Sequence, residues 1–316
     1  MSTLHRKILV IICISAVGLI CILGLELLGT PNSITNKIDT PKSVEIAKSN
    51  GPIVETKDNM NTQLWNTIDT LAKQSDADIS VYVNKPDTSY SPLIYNDRKF
   101  RSASMIKIFI LAKLYEEEKN GNISDTQLIR LTDNNRVGGA GSLQGFPIGT
   151  EFTIQQVAAH MITESDNTAT NMLIDLLGMD SINQYIHENG YTDTRLQRKM
   201  MDNVAVKNGL ENYTSAKDLG NIFTKLYLGQ CISPEYDKKA IALLLKQEDT
   251  ECLPTALPNA SIAHKTGELI GLYHDGGIVY SSNGNYILCI LSDNQGSRKQ
   301  TIEVMKKIAQ TVQNEI

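Results

Sequence analysis

Residues 261–293 read SIAHKTGELIGLYHDGGIVYSSNGNYILCILSD. Three parts of this stretch, SIAHKTG, YHDGGIVYSS and NYILCILSD, carry the apolar, β-branched and aromatic residues of strands, and Asn283-Gly284 between the last two is a strong tight-turn signal. A final helix follows over about Lys299 to Gln313. Toward the amino terminus, Leu64, Ile68 and Leu71 recur at helical spacing and predict a first helix, after which ISVYV and PLIY look like a pair of strands. A second helix should start near Ser104, and from there to about residue 259 the pattern is mainly helical. Thr153-Ile-Gln-Gln156 is a capping box ahead of apolar Val157, Ala158, Met161 and Ile162, and Gly178 closes a helix over Thr168 to Leu177. Strands at both ends with helices between imply an α/β (α+β) fold. One antiparallel sheet is made by the two ends of the domain, with helices packed on it and an all-helical insertion.

The chain has 316 residues, a net charge of −5 from 30 Lys+Arg and 35 Asp+Glu, and 41% hydrophobic residues. That balance argues against disorder and against a basic nucleic-acid binder, so no nucleic-acid partner is expected. From Ile8 to Leu25 no charge occurs, and a run of about 18 residues reaches the lower limit for a membrane-spanning helix. His5, Arg6 and Lys7 precede it and Glu26 follows. The positive-inside rule therefore keeps the amino terminus cytoplasmic and sends the rest outside, as a single-pass protein of the cell membrane. No small-x-small cleavage site stands between Gly24 and Thr30, so a retained anchor is expected.

The organisation expected is a cytoplasmic stub and anchor over residues 1–29, a flexible linker rich in Thr, Asn, Ser, Lys and Pro over 30–59, and one monomeric domain over 60–316. Within the domain, 60–118 and 260–316 form a sheet subdomain and 119–259 a helical one. Five cysteines are too few for a disulfide scaffold. Cys289, inside YILCIL, reads as a core residue. Cys231 and Cys252 are free to pair outside the cell, whereas a helix predicted over Lys238 to Lys246 would hold them apart, and the sequence leaves both open.

Three short motifs carry chemistry. Ser104-Met-Ile-Lys107 stands where a polar loop enters the run MIKIFILAKL, which forces an ammonium into apolar surroundings. Positions i and i+3 of a helix share a face, so the Lys107 amine falls within reach of the Ser104 hydroxyl. Desolvation lowers a lysine pKa and lets neutral amine accept the serine proton. Alone, this pattern is uninformative, because half-buried lysines usually snorkel to solvent. Ser165-Asp166-Asn167 interrupts the junction of two predicted helices and presents a hydroxyl and an amide from a braced loop; by itself it is more often a cap. Lys265-Thr266-Gly267 ends a predicted strand, whose alternation points Lys265 and Gly267 to one face and Thr266 to the other. His160, His187, His264 and His274 show no zinc-ligand spacing, so neither metal nor cofactor is expected.

SxxK, SDN and KTG in this order, with these separations, resemble the class A β-lactamases and penicillin-binding-protein-like serine hydrolases across about residues 60 to 316. The resemblance implies that Ser104 is an acylated nucleophile, that Lys107 accepts its proton, and that Ser165 passes a proton to the leaving nitrogen. Asn167 would bind the substrate amide, Lys265 would maintain positive potential beside Ser165, and Thr266 would meet the substrate carboxylate. Gly267 lets substrate approach the strand, and the N–H groups of Ser104 and Glu268 would form the oxyanion hole. The implied substrates are a β-lactam or a peptidoglycan stem peptide.

Two features depart from the family. Class A enzymes activate the deacylating water with a glutamate in the pattern Arg-x-Glu-x-x-x-Asn. If Arg198 matches that arginine, Met200 holds the glutamate position, where a thioether takes no proton from water. Asp202 is the alternative deacylating carboxylate, or else a loop residue paired with Arg195 or Arg198; Glu211 is too distant by family spacing. The second departure is that no basic residue other than His274 lies between Lys265 and Arg298, while acidic Glu268 adjoins the expected oxyanion hole. The competing expectation is therefore a slowly deacylating penicillin-binding or D-alanyl-peptidase-like protein, or a β-lactam binding module.

Overall fold

In the computed structural model the described residues are 57–89 and 91–316; the apolar run Ile8–Leu25 and residues 30–56 of the expected linker lie outside them, while 57–59 belong to the first helix. The chain runs α1 (Lys57–Ala72), β1 (Asp78–Asn84), β2 (Leu93–Tyr95), β3 (Phe100–Arg101), α2 (Lys107–Lys119), β4 (Leu128–Arg130), β5 (Glu151–Thr153), α3 (Ile154–Thr163), α4 (Asn167–Leu177) and α5 (Met179–Glu188). It continues through α6 (Asn203–Lys207), β6 (Tyr213–Thr214), α7 (Ala216–Tyr227), α8 (Pro234–Leu244), α9 (Leu253–Ala256), β7 (Ser261–Leu269), β8 (Leu272–Tyr280), β9 (Tyr286–Asp293) and α10 (Arg298–Glu315). Among the described residues no helix is long and apolar enough to cross a membrane.

The main sheet has the order β2-β1-β9-β8-β7 and is antiparallel throughout, so β7, which carries Lys265-Thr266-Gly267, is an edge strand. Alternation along the strands sorts side chains into two cores. Ala263, Ile278, Ile287, Cys289 and Leu291 face the helical core that contains Ile106, Phe109, Ile110, Leu173 and Phe223. Ile262, Tyr273, Val279, Leu288 and Ile290 face Leu64 and Ile68 of α1 and Ile302, Met305 and Ile308 of α10. Each fully buried aliphatic side chain here contributes about 1.5–3 kcal/mol. Every residue from Met105 to Tyr115 is buried, which makes α2 the central helix.

The predicted capping box forms as read, with the Thr153 side chain accepting from Gln156 N. Gly178 follows Leu177 at φ 79° and ends α4. The insertion over 119–259 is not all-helical: it holds the β4–β5 ladder and β6, which pairs with β3. Strands of two or three residues are too short to print a period in sequence. No disulfide joins Cys231 to Cys252, and Cys231, Cys252 and Cys289 are all free. Cys231 packs against the helical core and Cys252 lies in the other one, so the cores that the sheet separates keep their sulfurs apart.

Candidate active site

Ser104 lies in the 3-10 turn Ala103–Ile106 that leads into α2. Its neighbours on both sides are buried, whereas Ser104 itself is half-buried and open to a reactant. Ala103 has φ 45°, in the left-handed region where a non-glycine residue is strained. Of the five such residues described, Ala103, Ser165 and Met201 all belong to the segments that build this site, in keeping with strain gathering where geometry is over-determined. The turn meets the edge strand at Gly267. A Cβ there would sit 3.2 Å from both Ser104 N and the Ala103 Cβ, so only a glycine lets β7 close on the Ser104 turn without displacement.

Lys107 and Lys265 are both fully buried and converge on one hydroxyl. Lys107 Nζ donates to Ser165 O (2.5 Å), Ser165 Oγ (3.2 Å) and Asn167 Oδ1 (3.0 Å). Lys265 Nζ donates to Ser165 Oγ (3.0 Å) and to Thr266 O (2.9 Å). The close Ser104–Lys107 pairing expected from i, i+3 spacing is not formed: three acceptors take the three N–H groups of Lys107, and none of them is Ser104. Burial pushes Lys107 well below the ordinary lysine value and the neighbouring Lys265 pushes it further, with Asp166 opposing. Burial also brings Lys265 down to about 7, against the pull of Asp249 and Asp275.

Ser165 adopts φ 56° in the loop between α3 and α4. Asp166 locks that loop from a fully buried position, accepting from Ala169 N (2.8 Å) at the start of α4 and from Leu143 N (2.7 Å). Asn167 N donates to Ala140 O, and its Nδ2 donates to Gly138 O (3.2 Å). The Asn167 amide therefore braces Lys107 on one side and the 138–140 segment on the other. Thr266 points to the opposite face of β7 from Lys265, is 5% exposed, and pairs in register with Asp275.

The loop carrying Arg198 and Met200 is held from two directions. Arg198 forms a largely buried ion pair with Glu211 (Nη2 to Oε1, 2.7 Å), and its backbone is bound by Asn212. Asn171 of α4 accepts from Met200 N (2.8 Å) and donates to Met200 O (3.2 Å). Asn171 lies one helical turn, roughly 6 Å, beyond Asn167, so the clamp ties the Met200 backbone to the helix that carries Asn167. Met200 is 6% exposed. Asp202 instead caps α6, accepting from Ala205 N (2.9 Å), and the acidic partner of Arg198 is Glu211 rather than Asp202. Spacing missed Glu211 because the loop doubles back through Asn212.

Glu268 is exposed, and its carboxylate is clasped by Arg298 (2.6 and 3.0 Å), which also forks onto Glu251 (2.9 and 2.7 Å). The first residue of α10 thus balances the Glu268 charge, and nothing in the linear sequence links these three positions. His160, Glu164 and Asp166 place ligand-type atoms within 4.8 Å of one another. Their oxygens already accept from Ser142 N, Leu143 N and Ala169 N, and His160 Nδ1 lies 2.7 Å from Glu164 Oε1, so the group serves the loop.

Fold and motif order together define a β-lactamase-like serine hydrolase. The family model of the β-lactamase enzyme family matches residues 63–316, and the chain belongs to that family. It is 26% identical over 263 residues to β-lactamase VEB-1 of Pseudomonas aeruginosa, covering 76% of this chain and 85% of the relative. Among solved structures, a β-lactamase from Sphaerobacter thermophilus aligns with a TM-score of 0.73 and 26% identity, over 79% of this chain and 97% of that one. PBP-A aligns with a TM-score of 0.74 and 27% identity, over 81% of this chain and 95% of its own.

Proposed function

We propose that this protein opens β-lactams or a related cell-wall amide through an acyl-serine intermediate at Ser104. The observation that carries the reading is the pair of buried lysines meeting on Ser165 Oγ beside a half-buried serine. Ser104 Oγ attacks the acyl carbonyl and gives its proton to Lys107, which must first give up one of its three N–H contacts, a loss of charge that its burial favours. The C–N bond then breaks as Ser165 delivers a proton to nitrogen, resupplied from the lysines. Lys265 holds positive potential at Ser165, Thr266 receives the substrate carboxylate, and the N–H groups of Ser104 and Glu268 stabilise the oxyanion. Asn167, braced by Lys107 and Gly138, keeps one N–H for the substrate amide. The run Ile8–Leu25, with His5, Arg6 and Lys7 before it, supports a membrane tether with this domain outside the cell.

A second reading, trapping rather than turnover, rests on Met200. A thioether in the clamped loop leaves the deacylating water without a carboxylate base. One relative in this fold, a leucine-to-glutamate variant of PBP-A, is known as an acyl-enzyme complex with penicillin G. The test is the intact mass of the full chain, purified in detergent and mixed with penicillin, followed over time beside Ser104→Ala. A penicilloyl mass on the wild type and none on the variant is expected. An adduct that also forms on Ser104→Ala would overturn the nucleophile assignment; a persistent adduct selects trapping over turnover.

A further inference from the structure

The Ser104 turn rests on two residues that oppose each other across the β7–β8 pair. Gly267 and His274 are register partners, and directly opposed residues of an antiparallel pair project to the same face of the sheet. Gly267 gives the close approach to Ser104 N and the Ala103 Cβ described above. His274 is fully buried and reaches the strand that leads into the turn, its Nε2 donating to Arg101 O at 2.7 Å. The other ring nitrogen is engaged as well, Nδ1 accepting from Ser292 N of β9 at 3.2 Å. A carbonyl only accepts and an amide N–H only donates. The two partners together therefore permit one state of the ring, neutral with its proton on Nε2.

We propose that His274 is a positioning residue for Ser104, its imidazole pinning the Arg101 backbone and so holding the turn against β7. The inference rests on Ser104 acting as the nucleophile, as proposed above. Arg101 precedes Ser104 by three residues, and between them stands Ala103 at φ 45°, a conformation that persists only where its surroundings dictate it. The segment is tied down from three sides. The Arg101 guanidinium forks onto Asp293 of β9 (3.0 and 2.5 Å), and Ser102 N donates to Asn212 O (2.7 Å). The Arg101 carbonyl is left to His274, because Tyr213, the register partner of Arg101 on β6, has its own N–H on Arg195 O. Phe100 meets the imidazole edge-on at 6.3 Å and closes the space around it. Burial brings the ring down to about 4, against the Arg101 and Tyr273 backbone and the Asp293 carboxylate, and with the Arg101 guanidinium helping, so the neutral form holds at neutral pH. His274 belongs to none of the three motifs, and only the folded chain brings it under the nucleophile.

The test follows penicilloyl formation on the full chain in detergent by intact mass, over a range of penicillin concentrations, for three variants whose folding is checked by circular dichroism. His274→Leu removes both bonds, and His274→Asn keeps an acceptor for Ser292 N but is too short to reach Arg101 O. His274→Gln restores a donor at the reach of Nε2. A loosened turn misplaces Ser104 without altering the surface that first meets penicillin. The leucine and asparagine variants are therefore expected to lose about tenfold or more in maximal acylation rate, with the half-saturating concentration within about twofold of wild type. The glutamine variant is expected to stay within about threefold in rate. The asparagine variant carries the test alone should the leucine variant fail to fold. Histidine 15N NMR of the wild type, with His274→Gln identifying the signal, is expected to show a neutral ring protonated on Nε2 at pH 7. Wild-type acylation by a folded leucine or asparagine variant, a glutamine variant as slow as the leucine one, or a ring protonated on Nδ1 sinks the positioning role. Absence of any penicilloyl mass on the wild type sinks the acyl-serine reading and this role with it, which normal acylation of the variants does not.

Discussion

Met200→Glu is the substitution that most sharply tests the chemistry assigned to the loop. The side chain is nearly buried and the backbone is fixed by Asn171 on both its N–H and C=O, while Arg198 and Glu211 anchor the preceding turn. Glutamate has a length close to that of methionine, so the clamp is expected to survive and to deliver a carboxylate to the place the thioether now fills. A positioned general base is worth about 10²–10⁴-fold, or roughly 3–5 kcal/mol of barrier. Burying the carboxyl costs about 1–3 kcal/mol of stability, which at about 2–4 °C per kcal/mol for a domain of this size lowers Tm by several degrees. Burial also raises the carboxyl pKa, so the gain fades as pH falls and the group protonates. The assay is the lifetime of the penicilloyl adduct by intact mass, with acylation measured separately. We expect acylation to stay near the wild-type rate and the adduct lifetime to shorten by about a hundredfold or more. A lifetime within about threefold of wild type, with the loop intact, would falsify the assignment of Met200 to the water-activating position.

Lys265→Met tests the cost of the buried ammonium. A folded pKa of about 7 against the ordinary lysine value of 10.5 means the penalty is fully present below pH 7 and disappears as pH rises toward 10.5, at about 1.4 kcal/mol per unit. The variant should therefore be more stable than wild type at pH 6, by about 1–3 kcal/mol once the lost hydrogen bonds are counted, with a smaller difference at pH 9.5 in denaturant titrations. Acylation by penicillin should fall steeply in the same protein. Glu211→Gln leaves the Arg198 guanidinium, 7% exposed, without its counter-charge and should cost about 2–4 kcal/mol, read as a drop in Tm. Gly141→Ala should be worse tolerated than an ordinary loop change, because φ is 101° and the new Cβ would lie 2.1 Å from Asp166 Cγ. Its expected signature is loss of acylation, since Asp166 fixes Ser165. A non-reducing peptide map should contain no Cys231–Cys252 linkage, and Cys252 and Cys289 should resist thiol reagents until the protein unfolds.

Much of the scaffold was legible because its signals are local. The alternation over SIAHKTG fixed the opposite faces of Lys265 and Thr266, and the register across β8 places them there. Asn283-Gly284 joins β8 to β9 with Gly284 at φ 108°, and the helix from Leu64 to Leu71 turns its apolar stripe inward. What the sequence did not print are contacts between distant segments. Lys107 was expected to reach back to Ser104 by helical spacing alone, yet its partners Ser165 and Asn167 arrive from 58 and 60 residues away. Arg298 on Glu268 and Glu211 on Arg198 are likewise tertiary pairings between exposed-looking polar residues. The short strands β3, β4, β5 and β6 failed to register for a different reason, since two or three residues give alternation too little length to show, whereas β2 was read from its apolar run Leu93–Tyr95.

The loop at Met200 separates two requirements that are easily run together. Its shape is set by groups other than the side chain at 200: the Asn171 amide, the Arg198–Glu211 pair and the Asn212 bridges hold it whether or not a base is present. Its chemistry depends on that one side chain. Methionine, packed into the helical core, favours the fold where a buried carboxylate would tax it. On the proposed mechanism, with no carboxylate in the clamp, Lys107 is the base left to take a proton from water, and the structure holds it to Ser165 and Asn167. An amine so engaged serves the attack by Ser104 from its own helical turn better than attack by a water that nothing in the loop orients. On the proposed reading, acylation and deacylation therefore rest on different parts of the molecule, and the loop at Met200 bears on the second alone.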